Sequence, residues 1–397
     1  MSLMSVDEVR QRLLDQALSV DEVERVSVNA ALGRTLAFDL VSEIAVPPAD
    51  NSAMDGFAVR ASEVAPETRL PISQIIPAGT PPAPLLEGSA ARIFTGGQIP
   101  VGADAVLIQE DADYTDDAVT PKTRVSPGEN VRPAGQDIRQ GAVIIRAGQV
   151  LKPAHLSLLA SIGEAQAAVF RKLRVAILAT GDELVEPPGA LAPGQIYNSN
   201  QKGLRAALEM LGMTVVDLGI VKDSLEATVS ALSAAADQAD VILSSGGVSV
   251  GDRDHVKAAV SELGHLSVWK LAIKPGKPLA FGQVCGKPFF GLPGNPVSTF
   301  VTFQILARPF LEAMQGRGVV DVITWPGRST FAFKAGARQE YLRVQARPDR
   351  EDVLLDRFQE QGSGVMTSLA WANALAIITP HQVVEIGDTL SYLLFDR

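Results

Sequence analysis

The sequence predicts a multidomain protein that combines an α/β unit with β-rich modules. Its 397 residues are enough for about two to four domains of roughly 100–200 residues each. From residue 173 onward, strand-like runs alternate with helix-like runs, which is typical of βαβ units and a parallel sheet. Short β-type runs separated by Pro and Gly fill residues 41–150 and return after a glycine break at 316–318, so we expect two β modules.

The N-terminal part is predicted to be helical. One stripe with helical spacing carries four apolar residues, Val6, Val9, Leu13 and Leu14. A second short helix is expected at about 28–36, and a further helical piece at 153–162.

In the central part, the predicted order is strand 173–179, helix 200–211, strand 214–221, helix 224–238 and strand 241–244. A long helix is expected to begin with Asn295 as N-cap and Pro296 at its first position. Pro309 should kink this helix.

Composition excludes several classes of protein. With 35 Lys+Arg against 45 Asp+Glu the formal net charge is −10, which disfavours nucleic acid as a partner. One cysteine excludes an intramolecular disulfide framework, and four scattered histidines lack zinc-site spacing, so carboxylates must hold any metal. The N-terminus lacks the apolar core of a signal peptide, and no apolar run reaches the ~20 residues of a membrane span. We therefore expect a cytoplasmic protein without membrane contact.

Two acidic residues follow the first strand of the α/β unit, where open α/β sheets place their ligands. Asp182 and Glu183 could together hold Mg²⁺ for phosphate chemistry. The spacing is equally compatible with a turn whose acids cap the next segment.

A glycine-rich loop at 244–252 follows the last strand of the βαβ pattern. Gly246 and Gly247 allow a sharp turn with exposed N–H groups, and a helix start nearby could bind an anion. The loop is neither a dinucleotide-binding nor a Walker fingerprint. Asp254 lies just beyond it, as a site residue or as an acid that stabilises the helix dipole.

Three lysines are concentrated in the segment 269–278. If this segment is a strand, Lys270 and Lys274 share a face, and Pro275 helps to fix Lys274 and Lys277 in place. A solvated, aggregation-blocking edge is the alternative. We favour an oxyanion site, because flexible edge lysines need no neighbouring prolines.

Outside the α/β unit, three segments combine charged residues with glycine: 47–57, 95–104 and 132–138. Their composition also fits ordinary hairpin loops.

In order along the chain, the strings NSAMDGFAV, TGGQIPVGADAV, ENVRPAGQDI, LATGDEL, GQIYNSN, SSGGVSVGDRD, KLAIKPGKPLAFG and GLPGNPVSTFVTF resemble the molybdopterin molybdenumtransferase family of molybdenum-cofactor biosynthesis. The C-terminal region of gephyrin is similar to this family. The resemblance runs from about residue 50 to 305, with weaker similarity on both sides.

The resemblance implies a four-part fold: a helical part, an inserted β module, a central three-layer α/β unit with a parallel sheet, and a C-terminal β-barrel-like unit. The corresponding ranges are 1–40 with 138–172, 41–137, 173–318 and 319–397. It also implies a homodimer whose cleft lies between the α/β unit of one subunit and the β module of the other. The reaction implied is Mg²⁺-dependent insertion of molybdate into adenylylated molybdopterin, with release of AMP.

The resemblance also implies residue roles. The catalytic positions are Asp55, Thr95, Asp137, Asp182, Glu183, Asp223 and Asp254, with Asp55 acting across the dimer and Asp182 and Glu183 at the metal. The substrate-binding positions are Gly246, Gly247, Ser249, Gly251, Lys270, Lys274, Pro275, Lys277, Arg343 and Ser363.

Two other functions stay open at this point. One is the related molybdopterin adenylyltransferase, since residues 173–316 alone resemble that family, although the flanking modules argue against it. The other is a non-catalytic pterin-binding scaffold. The further candidate partners are the molybdopterin adenylyltransferase and apo-molybdoenzymes.

Overall fold

A computed structural model describes residues 3–246, 255–276, 278–318, 322–350 and 352–395. The chain divides into two compact units. The first, here called the larger unit, comprises Met1–Glu24, Gly33–Ala37 and Val169–Arg397; the second, the β-rich unit, comprises Arg25–Leu32 and Phe38–Ala168. The finer four-domain boundaries stay a prediction.

Residues 3–170 contain two α-helices and twelve short strands. They are α1 (Val6–Leu14), β1 (Val23–Ser27), β2 (Leu40–Val41), β3 (Asn51–Ser52), β4 (Gly56–Val59), β5 (Leu70–Ile76), β6 (Ala90–Ile93), β7 (Ala105–Ile108), β8 (Ala112–Tyr114), β9 (Ala118–Pro121), β10 (Val131–Arg132), β11 (Val143–Ile145), α2 (Pro153–Ser161) and β12 (Gln166–Phe170). Six of the strands form the main sheet of the β-rich unit in the order β7-β4-β6-β5-β9-β8. Phe57, Leu107 and Val119 are buried in its core.

The N-terminal helix is confirmed: Ser5 caps α1 by accepting the N–H of Glu8 at 3.2 Å, and Val6, Val9 and Leu13 are buried. The second predicted helix, at 28–36, is wrong. Only a short 3₁₀ turn (Val28–Ala30) forms there, because Leu36 is instead engaged in a β-bridge with Val169. Long-range pairing overrides the local helical spacing at this point.

The central part of the larger unit alternates strands and helices as predicted. Its elements are β13 (Arg174–Thr180), β14 (Leu184–Val185), β15 (Ile196–Tyr197), α3 (Ser199–Met210), β16 (Thr214–Val221), α4 (Leu225–Gln238), β17 (Val241–Ser245), α5 (His255–Leu263), β18 (Gly264–Lys270), β19 (Ile273–Lys274), β20 (Pro278–Val284), β21 (Lys287–Leu292), α6 (Pro296–Thr302) and α7 (Arg308–Met314). The central sheet has the order β16-β13-β17-β21-β20-β18. The first four strands are parallel, and β20 and β18 add an antiparallel edge.

Both faces of the central sheet are covered, which makes three layers. Side chains alternate along β13: Ile177 packs into one buried apolar cluster with residues of α1, α3 and α7, whereas Leu178 packs into another with residues of α4 and α5. The helix kink expected at Pro309 is a π-helical turn, Phe303–Ala307, that separates α6 from α7. A proline removes one helical hydrogen bond and crowds the preceding turn, and a π-bulge absorbs both effects.

The C-terminal part is a closed barrel. Its elements are β22 (Trp325–Ser329), β23 (Phe333–Lys334), β24 (Gln339–Asp349), β25 (Asp352–Arg357), α8 (Thr367–Trp371), β26 (Ala374–Ile378), β27 (Val383–Val384) and β28 (Thr389–Leu394). Five strands follow one another as β24-β25-β22-β28-β26, and the pairing of β26 with β24 closes the ring. The predicted fold class is therefore confirmed. None of the described helices combines the length and apolar character needed to cross a membrane.

Candidate functional site

The parallel strands of the central sheet end at one edge, here called the carboxyl edge, and the loops that follow them are in contact. The N–H of Asp223, after β16, donates to Oδ1 of Asp182, after β13, at 3.4 Å. The N–H of Gly246, after β17, donates to the carbonyl of Leu292 at the end of β21 at 3.2 Å. Four strands thus bring their following loops to one place, as the rule for open α/β sheets predicts.

The predicted acidic residues of this edge are accessible to solvent. Asp182, Glu183 and Asp223 are all exposed. Within the described ranges, no three His, Cys, Asp or Glu side chains come together as a ready-made metal cage. Two carboxylates nevertheless fit Mg²⁺, which keeps several water ligands and is commonly held by one or two carboxylates together with substrate phosphates.

Two buried hydroxyls lie beneath this acidic rim. Oγ1 of Thr180 and Oγ of Ser244 are buried at the ends of β13 and β17, and neither has a hydrogen-bond partner among the described residues. The backbones approach closely here, since a Cβ on Gly246 would lie 2.8 Å from the carbonyl oxygen of Thr180. Gly247, Ser249, Gly251 and Asp254, which the sequence also predicted here, lie outside the described residues.

The lysine segment is not one continuous strand, which was the condition for Lys270 and Lys274 to share a face. Lys270 ends β18 at the edge of the central sheet, whereas Lys274 belongs to β19, which pairs with β24 of the barrel. The chain leaves one sheet and joins the other at Leu271 and Ala272, so the two lysines do not share a strand face. Lys277 lies outside the described residues.

Lys274 is held by the barrel. Its Nζ lies 3.0 Å from Oε2 of Glu340, whose side chain is 4% exposed, while the lysine side chain is 51% exposed. Pro275, the next residue, is buried. The structure therefore holds this ammonium group at the end of β19, directly before the turn that begins with Pro275.

Arg343 is a buried cation without a carboxylate partner in the described part of the chain. Its side chain is 1% exposed; Nε donates to Oγ of Ser368 at 3.0 Å and Nη2 to the carbonyl of Gly362 at 3.1 Å. Burial lowers the pKa of Arg343 to about 10. An anion placed beside this guanidinium would compensate its charge, since buried charges are normally paired.

Ser363, the other predicted residue of the barrel, lies next to this arginine. Its carbonyl accepts the N–H of Val297, in the first turn of α6, at 3.0 Å. The loop before α6 also reaches the carboxyl edge, because a Cβ on Gly294 would lie 3.8 Å from Cα of Gly246. Nδ2 of Asn200, at the start of α3, donates to the carbonyl of Gly294 at 2.7 Å. The barrel loop and the carboxyl-edge loops therefore both contact the segment 294–297.

In the β-rich unit, the structure joins two of the three predicted residues. Both the N–H and the hydroxyl of Thr95 donate to Oδ1 of Asp55 at 2.7 Å. The backbone and side-chain hydrogen bonds from Thr95, and then the charge of Arg92, hold the pKa of Asp55 below its ordinary value. Asp55 is accordingly a preorganised carboxylate.

Asp137 is exposed, and its loop lies beside the same assembly. Strand β10, just before this loop, pairs with β3, just before Asp55. Oδ1 of Asp50 accepts the N–H of Ala134 at 2.7 Å and so fastens the loop. The three segments singled out from composition are therefore one cluster rather than separate hairpins.

Sequence reasoning missed Glu340 and Arg92. It noted Asp50 only as part of the segment 47–57, and it gave no role to Thr180 or Ser244. Glu340 and Arg92 are single charged residues within ordinary strand patterns. Their partners lie far away in the chain, so no local signal marks them. The two hydroxyls could have been noticed as polar residues that end otherwise apolar strands.

Comparison with known proteins identifies the class of protein to which the chain belongs. Three family models match it in order: the MoeA N-terminal region (domain I and II) at residues 4–163, a probable molybdopterin binding domain at 176–313, and the MoeA C-terminal region (domain IV) at 326–395. A molybdopterin biosynthesis MoeA protein from Pyrococcus horikoshii has a solved structure with a TM-score of 0.85 at 32% identity, covering 100% of both chains. The class is thus that of multidomain MoeA-like proteins, whose α/β unit in this chain matches the model of a probable molybdopterin binding domain.

Curated relatives identify the family. A molybdopterin molybdenumtransferase of Haemophilus influenzae is 41% identical over 317 residues, which cover 79% of this chain and 78% of the relative. Another from a Nostoc species is 36% identical over 375 residues, covering 91% and 86%. The chain belongs to the molybdopterin molybdenumtransferase family, and the resemblance seen in the sequence is confirmed.

Proposed function

We propose that the protein is a Mg²⁺-dependent molybdopterin molybdenumtransferase, which inserts molybdate into adenylylated molybdopterin and releases AMP. The observation that carries this proposal is the junction at 294–297. It is contacted from one side by Asn200, at the start of α3, and by Gly246 of the carboxyl edge, and from the other by the barrel loop beside Arg343. Metal-holding carboxylates and anion-binding cations are thereby supplied to one region, as cleavage of a phosphoanhydride requires.

The acidic side is proposed to serve the phosphate chemistry. Asp182 and Glu183 would hold Mg²⁺, with Asp223 and Asp254 on the same rim. Bound there, the ion would neutralise charge on the phosphate oxygens. Of the four proposed residues of the glycine-rich loop, Gly246 is described, and the absence of a side chain there lets the loop pass close to Thr180 at the sheet edge. The other proposed residues of this loop are Gly247, Ser249 and Gly251.

The cationic side is proposed to hold the anions. Lys270, Lys274 and Lys277 would bind molybdate or phosphate, and the buried Pro275 would shape their turn. Arg343 gives anion binding its strongest support, because its guanidinium is buried and has no carboxylate partner among the described residues. Ser363 would contribute beside it.

The cluster of Asp55, Thr95 and Asp137 in the β-rich unit is proposed to complete the site of a second subunit in a homodimer. Its support is the fixed hydrogen-bond geometry of Asp55, which a solvated hairpin does not need. The cytoplasm is the proposed location. The molybdopterin adenylyltransferase and apo-molybdoenzymes are the proposed protein partners, supplying the substrate and taking the product.

A comparison of two substrate pairs tests the function. We expect the purified protein to release AMP and form molybdenum cofactor from adenylylated molybdopterin, molybdate and Mg²⁺, and to release no pyrophosphate from molybdopterin and ATP. The opposite pattern would identify an adenylyltransferase. Turnover of neither pair, by folded protein, would favour a pterin-binding scaffold.

The scaffold alternative has its own test in cells. Asp55→Ala and Lys274→Ala should each abolish maturation of molybdoenzymes while the protein stays folded and dimeric, whereas Asp116→Ala, on an exposed turn of the β-rich unit, should not. Normal maturation with both site variants would support the scaffold.

A further inference from the structure

The contact between Lys274 and the barrel has a specific geometry. Strand β19 is only two residues long, and it pairs in parallel with the first two residues of β24, so that Lys274 is opposite Glu340. Nη1 of Arg338 donates to the carbonyl of Ile273 at 3.0 Å, and the N–H of Gln339 donates to the carbonyl of Ala272 at 2.8 Å. The barrel therefore fixes the backbone of the lysine segment.

Glu340 fixes the end of the side chain as well. Its Oε1 accepts the N–H of Gly336 at 3.0 Å, and its Oε2 lies 3.0 Å from Nζ of Lys274. The carboxylate is 4% exposed and the lysine 51% exposed. An ammonium has three N–H donors, so the one facing Glu340 leaves the others for solvent or a bound anion.

The residues that follow Lys274 pack closely against α6. Gly276 has φ +98°, and a Cβ there would lie 2.8 Å from Oγ1 of Thr302 on α6. That hydroxyl is fully buried and has no partner among the described residues. The lysine is thus anchored by the barrel on one side and by a turn packed on α6 on the other.

Glu340 is far more buried than Lys274, so removing one partner should not affect stability in the same way as removing the other. This difference distinguishes a positioning role of Glu340 from a merely structural one. Losing Lys274 would leave a buried carboxylate without its cation, and such a loss is strongly destabilising. Losing the charge of Glu340 would leave a half-exposed ammonium that water can solvate. The charge of Glu340 should therefore matter less for the stability of the barrel than the charge of Lys274.

We propose that Glu340 is a positioning residue for the anion site: from the barrel wall it holds the Lys274 ammonium where the oxyanions of the reaction bind. This inference rests on the proposed function, in which Lys274 contacts molybdate or phosphate. A flexible lysine would lose side-chain entropy on binding each anion. A lysine already held by Glu340 has largely lost this side-chain entropy before the anion binds. The Glu340–Lys274 pair should therefore lower KM more than it changes kcat.

Kinetics of Glu340→Gln test this role, with Glu385→Gln as the control. Glu385 is exposed in the same barrel, so both variants remove one negative charge. We expect Glu340→Gln to raise KM for molybdate or for adenylylated molybdopterin about tenfold, the order of one charge-assisted hydrogen bond, with little change in kcat. Glu385→Gln should match the wild type. Equal KM values in the two variants would overturn the proposal.

Pulse labelling of amines gives a readout that does not depend on turnover. With a dilute acylating reagent and mass spectrometry, Lys274 should label faster in Glu340→Gln than in the wild type and in Glu385→Gln. Thermal unfolding should show a larger loss of Tm for Lys274→Met than for Glu340→Gln. Unchanged labelling would contradict the positioning role. If Lys274 labels faster in Glu340→Gln but the wild-type protein shows no molybdenum transfer, the proposed function would be contradicted. The contact between Glu340 and Lys274 would then still be supported.

Discussion

The two edges of the central sheet differ in how their charged and hydroxyl groups are satisfied. At the amino edge, where the parallel strands begin, both carboxylate oxygens of Asp240 accept from Arg171, at 2.7 and 3.0 Å, and the N–H of Arg174 adds a third bond at 2.8 Å. At the carboxyl edge, Asp182 is exposed, and the hydroxyls of Thr180 and Ser244 have no partner among the described residues.

Within one sheet, the amino edge therefore contributes to stability, and the carboxyl edge is available for function. The amino edge is closed by a paired network in which Gln315 also bridges Leu173 and Arg171, so its polar groups stabilise the fold. The carboxyl edge leaves acidic groups facing outward, where they contribute little to stability. A ligand and its metal ion can then use them.

The largest expected effect is at the carboxyl edge. Asp182→Asn should lower the rate of AMP release about a hundredfold, the order of effect for losing one charge-stabilising group in an active site. The free energy of unfolding should stay within about 0.5 kcal/mol of the wild type, as is usual for an exposed position. Steady-state kinetics and urea unfolding measure the two quantities.

The control is Asp237→Asn, an equally conservative change at an exposed residue near the end of α4. It should change neither quantity. Asp182→Asn with normal turnover, or with a large loss of stability, would remove the distinction between the edges.

The second-largest effect is expected at the amino edge, where a substitution should lower stability and leave turnover unchanged. Asp240→Asn leaves Arg171 without its buried partner, and we expect the free energy of unfolding to fall by about 3 kcal/mol. Turnover per folded molecule should be unchanged, because no ligand is proposed at this edge. Denaturant titration followed by assay below the unfolding midpoint tests both statements.

The pH dependence of stability gives a further test of the ion pair of Asp240 at the amino edge. Burial raises the pKa of Asp240, but the hydrogen bond from Arg171 and the backbone N–H of Arg174 outweigh it and hold the pKa below its ordinary value. A depressed pKa in the folded state contributes stability above the unfolded value, about 4, and this is lost as the pH falls through the folded value.

The difference in unfolding free energy between wild type and Asp240→Asn should therefore be constant from pH 7 to about 5 and shrink below about pH 4. Chemical unfolding at a series of pH values measures it. A difference that grows on acidification would show that the ion pair is not its source.

The smallest effect concerns the unpartnered hydroxyls. Thr180→Val replaces a buried hydroxyl that has no partner among the described residues by a methyl group, so unfolding free energy should be unchanged or rise by up to about 1 kcal/mol. The matched control is Thr299→Val: this buried hydroxyl donates to the carbonyls of Pro293 and Asn295 and should lose about 1 kcal/mol. Equal losses in the two variants would mean that Thr180 is satisfied.

Local sequence patterns predicted the parts of the structure that depend on near neighbours. The βαβ order and the placement of Asp182 and Gly246 at one edge follow from strand periodicity and from the direction of parallel strands. The helix expected at 28–36 was wrong, and Lys270 and Lys274 do not share one strand, because in both places the chain pairs with a distant segment instead.

The rest of the candidate site depends on contacts between residues far apart in the chain. Lys274 meets Glu340 through the register of β19 with β24, and Arg343 is buried only because five strands close into a barrel. Asp240 likewise reaches Arg171 across two strand starts. No single-sequence pattern encodes such registers, so the lysines were recognisable as candidates but the residues that hold them were not.

Hydrogen–deuterium exchange with and without adenylylated molybdopterin and Mg²⁺ tests most directly whether the two edges divide stability and function. We expect ligand-dependent protection at the carboxyl edge, in peptides that contain residues 181–183 and 222–223, and no change in peptides that contain 171–174 and 240. Equal protection at both edges, or protection at the amino edge alone, would contradict the account.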